Sequence, residues 1–292
     1  MNEITGIFGP ERHLVGTLAL SATRPGQAVG FILLNAGMIH RIGPHRLNVK
    51  LGRALAANGF ASIRFDLSGQ GDSRAPADAA PVIEQAVADL RAAMDHMERT
   101  VGMRQFAIAG VCSGAHHAVA TGLVDTRVVG IWMYDSFIYS TLKTRQNFYL
   151  RRMRELGLFG VARWLSRRVR TAVKFRSARA LEPETNVGVQ EWQAKPSREE
   201  YGQALQQLVD RGVRVSTTYS GSFLEEFNYA QQFRDAFQDF AMVDVVECAF
   251  RPEMDHTITA VDAQREVIAA VCAWAARFRP AADAPQGQSA SF

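Results

Sequence analysis

The stretch AIAGVCSGAHHA, residues 108–119, sets a short apolar run directly against a pattern of small residues. It reads as the end of a buried strand that turns sharply into a helix from about Gly114. Cys112 and Ser113 stand side by side at the turn. A nucleophile held between strand and helix sits on backbone so tight that the positions two before and two after it must be small. Centred on Cys112, those positions are Gly110 and Gly114; centred on Ser113, they are Val111 and Ala115. Valine does not meet the steric demand, so the turn selects Cys112 and leaves Ser113 to offer its backbone N–H to an oxyanion. A helix beginning just beyond a thiol also favours the thiolate, through its dipole and its first free N–H groups. The plainer reading of the same letters is a buried, inert cysteine after a core strand.

Working outward, short apolar runs alternate with helical patterns, the signature of βαβ units and a mainly parallel sheet. Residues 29–37, 61–69, 105–111, 128–136, 212–222 and 243–250 read as strands, and 3–8 with 12–21 as an antiparallel hairpin on the sheet edge. Leu47, Leu51 and Leu55 share one face of a helix that closes on Gly59. Pro81 opens another helix, in which Ile83, Val87, Leu90, Met94 and Met97 recur at helical spacing. A final helix carries Val267, Val271, Trp274 and Phe278. The last residues, 280–292, are rich in Pro, Gly, Ser and Ala and read as a disordered tail.

The 292 residues suffice for one large domain, and 47% hydrophobic with 21% charged residues is ordinary for a globular protein. The amino terminus lacks the order of a secretion signal, and the three cysteines (Cys112, Cys248, Cys272) are too few and odd in number for a disulfide framework, so a cytoplasmic setting is expected. No metal-binding spacing is present and no cofactor is expected. Charge is unevenly spread. Residues 141–180 hold twelve Lys or Arg against one acid, Glu155, while the rest of the chain holds twenty-one basic against twenty-eight acidic residues.

With these motifs in place, the chain resembles the α/β-hydrolase family over most of its length. FDLSGQGDS (65–73) is similar to the family's strand-loop segment, LLNAG (33–37) stands where its oxyanion loop lies, and MDHTITA (254–260) resembles its histidine loop. The resemblance implies an eight-stranded, mainly parallel sheet flanked by helices, with an inserted helical cap. The core would comprise 1–136 and 201–279, and the cap 137–200. The family order of nucleophile, acid, histidine assigns His256, since no other His lies beyond residue 117. GVCSGA with LLNAGMIHRIGPHRL most resembles cysteine-centred hydrolases associated with exopolysaccharide and exosortase systems. An elbow cysteine is also similar to dienelactone hydrolases and polyhydroxyalkanoate synthases.

The acid stays open between Glu225, in the loop after the late strand, and Asp135, directly after the strand 128–136; Glu226 stands behind them. Met38 and Ser113 are the expected oxyanion donors, and Gly37, His45 and Arg46 the expected substrate contacts. Asp255 reads as shaping the histidine loop, His116 and His117 as core or capping residues, and Cys248 and Cys272 as small core residues. GLFGVARWLSRRVRTAVKF (157–175) reads as an amphipathic cap helix with a basic stripe. It is either a solvated face or a docking face for an anionic acyl substrate, an acidic carrier protein or an anionic membrane surface. Nucleic acid is not expected, for no binding module is present. The function implied is hydrolysis of an ester, thioester or lactone through an acyl-enzyme. Acyl transfer on the same residues and a non-catalytic scaffold are the competing readings.

Overall fold

Leu34, Val111 and Tyr134, which end three neighbouring strands, bring the candidate residues to one edge of the molecule. The computed structural model describes residues 2–21, 29–78, 80–157, 160, 163 and 195–279. Its strands are β1 (Asn2–Phe8), β2 (Leu14–Leu20), β3 (Val29–Leu34), β4 (Ser62–Phe65), β5 (Gln105–Val111), β6 (Val128–Tyr134), β7 (Arg214–Ser220) and β8 (Glu247–Arg251). They form one eight-stranded sheet in the order β1-β2-β4-β3-β5-β6-β7-β8. β1 and β2 pair antiparallel as a hairpin, β2 is antiparallel to β4, and the remaining pairs are parallel.

The helices are α1 (Leu47–Ala57), α2 (Val82–Val101), α3 (Ser113–Val124), α4 (residues 142–157), α5 (Arg198–Asp210), α6 (Gln232–Ala236) and α7 (Val261–Ala275). The central strands are buried on both faces, which is why they read as continuous apolar runs. On one face Phe31, Leu33, Ala109 and Trp132 pack against Leu51 and Leu55 of α1 and Val271 and Trp274 of α7. On the other, Ile32, Ile108 and Met133 pack against Leu90 and Met94 of α2, Ala115 and Ala118 of α3 and Leu205 of α5. Alternation along each strand thus splits the core into two layers.

Strand order reverses at β3, whose neighbours are β4 on one side and β5 on the other. Crevices at such switch points, outside the carboxyl ends of the strands, are where open α/β sheets bind ligands. The strand expected over 243–250 is shorter: residues Ala241–Asp244 form a 3-10 turn and pairing begins at Glu247. α5 and α6 were not anticipated from the sequence. The basic helix expected over 157–175 lies almost entirely outside the described residues, as does the tail 280–292.

Candidate active site

The turn after β5 is as tight as its glycines require. Cys112 has φ 53° and ψ −118°, a conformation that side chains rarely adopt. A Cβ at Gly110 would run into the backbone of Gly114, and one at Gly114 would stand 2.7 Å from the Asn35 carbonyl oxygen. Ser113 is already the first residue of α3, so the strained position is that of Cys112. The Cys112 N–H donates to the Tyr134 carbonyl at 2.8 Å, tying the turn to the end of β6.

One residue further along that strand end, Asp135 also has positive φ, 50°. Its N–H donates to the Thr218 carbonyl at 2.8 Å. Its carboxylate is wholly buried and accepts the Ser220 N–H and the Ser220 hydroxyl, both at 2.7 Å. The remaining capacity of Oδ2 goes to His256 Nδ1 at 2.8 Å. The same ring interacts with the Cys112 side chain, which helps to raise its pKa. Cys112, His256 and Asp135 therefore form one chain of contacts.

The bond to Asp135, and after it the interaction with Cys112, raise the His256 pKa from 6.5 to about 10 against the opposing effect of burial. The loop that carries His256 is shaped by Asp255, whose carboxylate accepts the N–H groups of Thr257 and Thr259 at 2.9 and 3.0 Å. Phe223 packs edge-on against the imidazole, and the His256 N–H donates to Ser222 Oγ at 2.7 Å.

Glu225 is not brought to this chain. Its carboxyl is 71% exposed and faces Arg152 at 3.5 Å, because the residues after β7 turn at once into a short 3-10 segment and carry it toward α4. Glu226 is exposed as well. The loop after β3 meets the elbow through Gly37. Gly37 is the residue in contact with the elbow, donating its N–H to Ser113 Oγ at 2.7 Å, whereas Met38 sits further out with 67% of its surface exposed. His45 and Arg46 occupy a 3-10 turn before α1 with φ 50° and 62°. Both are exposed, and no hydrogen bond among the described residues ties either to Cys112, His256 or Asp135.

Sequence reasoning missed what fixes the β3 loop. Asp66, just past β4, is buried and accepts the Arg41 backbone N–H and Arg41 Nη1, each at 2.5 Å. The same guanidinium nitrogen reaches Asp72 Oδ2 at 2.7 Å and His40 Nε2 at 2.8 Å. His40, Asp66 and Asp72 are the cluster among the described residues with the donor set for a metal ion, and Arg41 already puts a cation among them. The signal was an Arg and two Asp in the two loops that flank the switch point.

A mostly apolar cavity of about 230 Å³ adjoins the β3 loop, lined in part by Met38, Leu67, Pro76, Val82, Ala86 and His117. Burial lowers the His117 pKa to about 4, so it lines this cavity as a neutral ring. His116 stacks on Phe137 at 3.5 Å. Burial pushes the Cys248 thiol up to about 12 and raises that of Cys272, so neither offers a ready thiolate.

Residues 27–177 match the family described as serine aminopeptidase, S33. The chain belongs to this α/β-hydrolase family. A comparison with curated proteins finds no match. Solved structures share the fold of this S33-family protein at low identity. A thermophilic esterase from Thermogutta terrifontis is 14% identical, with TM-score 0.57 over 96% of this chain and 100% of that one. The thioesterase domain from the curacin biosynthetic pathway is 14% identical, with TM-score 0.54 over 94% and 99%. The proline iminopeptidase of Mycobacterium smegmatis is 15% identical, with TM-score 0.53 over 97% and 100%. The family's description names a serine; in this S33-family hydrolase the strained elbow residue is a cysteine, with the serine one place later.

Proposed function

We propose that this hydrolase cleaves an ester, thioester or lactone through a covalent acyl-enzyme on Cys112, with His256 as proton carrier and Asp135 as the acid that orients it. The observation carrying this reading is the single chain of contacts Cys112–His256–Asp135, with Cys112 on the strained turn. A histidine pKa raised to about 10 makes the His256 ring a strong acceptor for the thiol proton in the attack. The thiolate attacks the carbonyl carbon, and the carbonyl π pair moves onto oxygen. The N–H groups of Ser113 and Met38 are the candidates to receive that oxyanion, the Gly37 N–H being taken by Ser113 Oγ. As the tetrahedral adduct collapses, the bond to the leaving group breaks and His256 gives that group its proton. The neutral imidazole then takes a proton from water, whose oxygen attacks the thioester and frees the acid and the thiolate.

The hydrogen bond between Asp135 and His256 supports a catalytic reading over a non-catalytic scaffold.

The test is turnover of a panel of activated esters, acyl thioesters and lactones. Cys112→Ala and His256→Ala are expected to lose at least about a thousandfold in kcat/KM. Retention of activity in Cys112→Ala would overturn the proposal. Adding hydroxyl and amine acceptors reads out acyl transfer, since an acceptor that outcompetes water diverts the product.

A further inference from the structure

Helix α4 is turned inside out relative to a surface helix of a globular protein. It meets the body through polar groups, with Phe148 half-buried among them. Thr144 is buried, Asn147 Nδ2 donates to Asn228 Oδ1 at 3.2 Å, and Arg152 faces Glu225 at 3.5 Å. Its outward side is apolar: Leu142 is 78% exposed, Tyr149 45%, Leu150 48%, Met153 44% and Leu156 39%. At about 100° per residue, positions 142, 149, 153 and 156 fall within about a 60° arc, with Leu150 beside it. Exposed basic residues border this stripe on both flanks, Arg154 on one side and Arg145 on the other.

We infer that α4 is a docking helix for an anionic bilayer surface. A convex apolar ridge on one helix, edged on both sides by long cationic side chains, suits a planar interface. There the apolar groups enter the acyl boundary and the charges rise to the lipid headgroups. A protein partner would need a groove to receive that ridge, with acids matched to both borders. No described helix is long and apolar enough to cross a membrane, so the helix lies on the surface. α4 and the loop after β7 share a hollow of about 140 Å³ lined by Phe148, Ser222 and Leu224 among others, and Ser222 accepts the His256 backbone N–H. The inference does not depend on the chemistry proposed for Cys112.

The experiment is co-sedimentation of the full chain with vesicles of phosphatidylcholine alone or mixed with phosphatidylglycerol, at low and high salt. Wild type, Leu150→Ser/Met153→Ser and Arg145→Glu/Arg154→Glu are compared, with melting curves as a check on folding. Cys112→Ala runs alongside and is expected to bind like wild type, which separates docking from catalysis. The expected result is binding to the anionic vesicles alone, weakened about tenfold or more by either double substitution and by high salt. Any of three results would overturn the inference. One is binding indifferent to lipid charge. Another is binding unchanged in Leu150→Ser/Met153→Ser. The third is no vesicle binding, with self-association or capture of an acidic carrier protein through α4 instead.

Discussion

At the residue scale, the site depends on two backbone strains and one buried carboxylate. Cys112 and Asp135 both hold positive φ, and each is pinned by a backbone hydrogen bond to the neighbouring strand end. Gly114 lets the elbow approach the β3 loop. Gly114→Ala puts a methyl group 2.7 Å from the Asn35 carbonyl. It is expected to cost about 1–3 kcal/mol in urea unfolding and to lower kcat more than it raises KM. His256 gains its charge-stabilising partners only on folding. Its raised pKa therefore adds stability that is complete below about pH 6.5 and is lost as pH rises through about 10. Asp135→Asn removes the largest cause of that shift. NMR titration of the His256 ring should place its pKa well below the wild-type value, and the alkaline limb of the activity profile should move down with it. An unchanged titration would mean that Asp135 does not tune the ring. The pentapeptide made the glycines and Cys112 legible, because their constraint is local and steric. It left the acid undecided, because Glu225 and Asp135 both satisfy chain order. Only the way β7 ends, turning Glu225 toward Arg152 while Ser220 holds Asp135, separates them.

At the scale of elements, the β3–α1 loop is fastened to the β4 loop by Arg41 and Asp66. Asp66 is fully buried and Arg41 is its counter-ion. Arg41→Met leaves that carboxylate without one, and breaking such a pair costs about 3–5 kcal/mol. A fall of that size in the urea-derived stability, together with a loss of kcat from a loosened Gly37, is the expected outcome. A stability within about 0.5 kcal/mol of wild type would show that the pair does not fasten the loop. This anchor escaped the sequence reading because its partners lie in separate loops and carry no periodic signal. Elements with strong apolar periodicity, such as α2 and α7, were legible. α5 was not, although its start carries a capping box in which Ser197 accepts the Glu200 N–H and Glu200 accepts that of Ser197.

Across the whole molecule, the alternation of apolar runs and helical patterns was enough to anticipate eight strands, a parallel centre and an antiparallel hairpin at the edge. It did not specify the strand order, which depends on crossovers between segments far apart in the chain. That order places the β3 loop, the elbow and the His256 loop at one end of the sheet. It also separates the three thiols. Cys248 and Cys272 are held protonated by burial, while Cys112 interacts with a histidine of raised pKa. Brief treatment with iodoacetamide at neutral pH should therefore add one carbamidomethyl group per chain, at Cys112. Equal labelling of two or three cysteines would contradict that ranking.

The most direct test of the central claim is to quench a reaction with an activated ester or acyl thioester in acid, weigh the intact protein and map the adduct by peptide sequencing. The account predicts one acyl group on Cys112, absent in Cys112→Ala, present in Ser113→Ala and persistent in His256→Ala if it forms at all. An acyl group carried by Ser113, or one that survives Cys112→Ala, would contradict it.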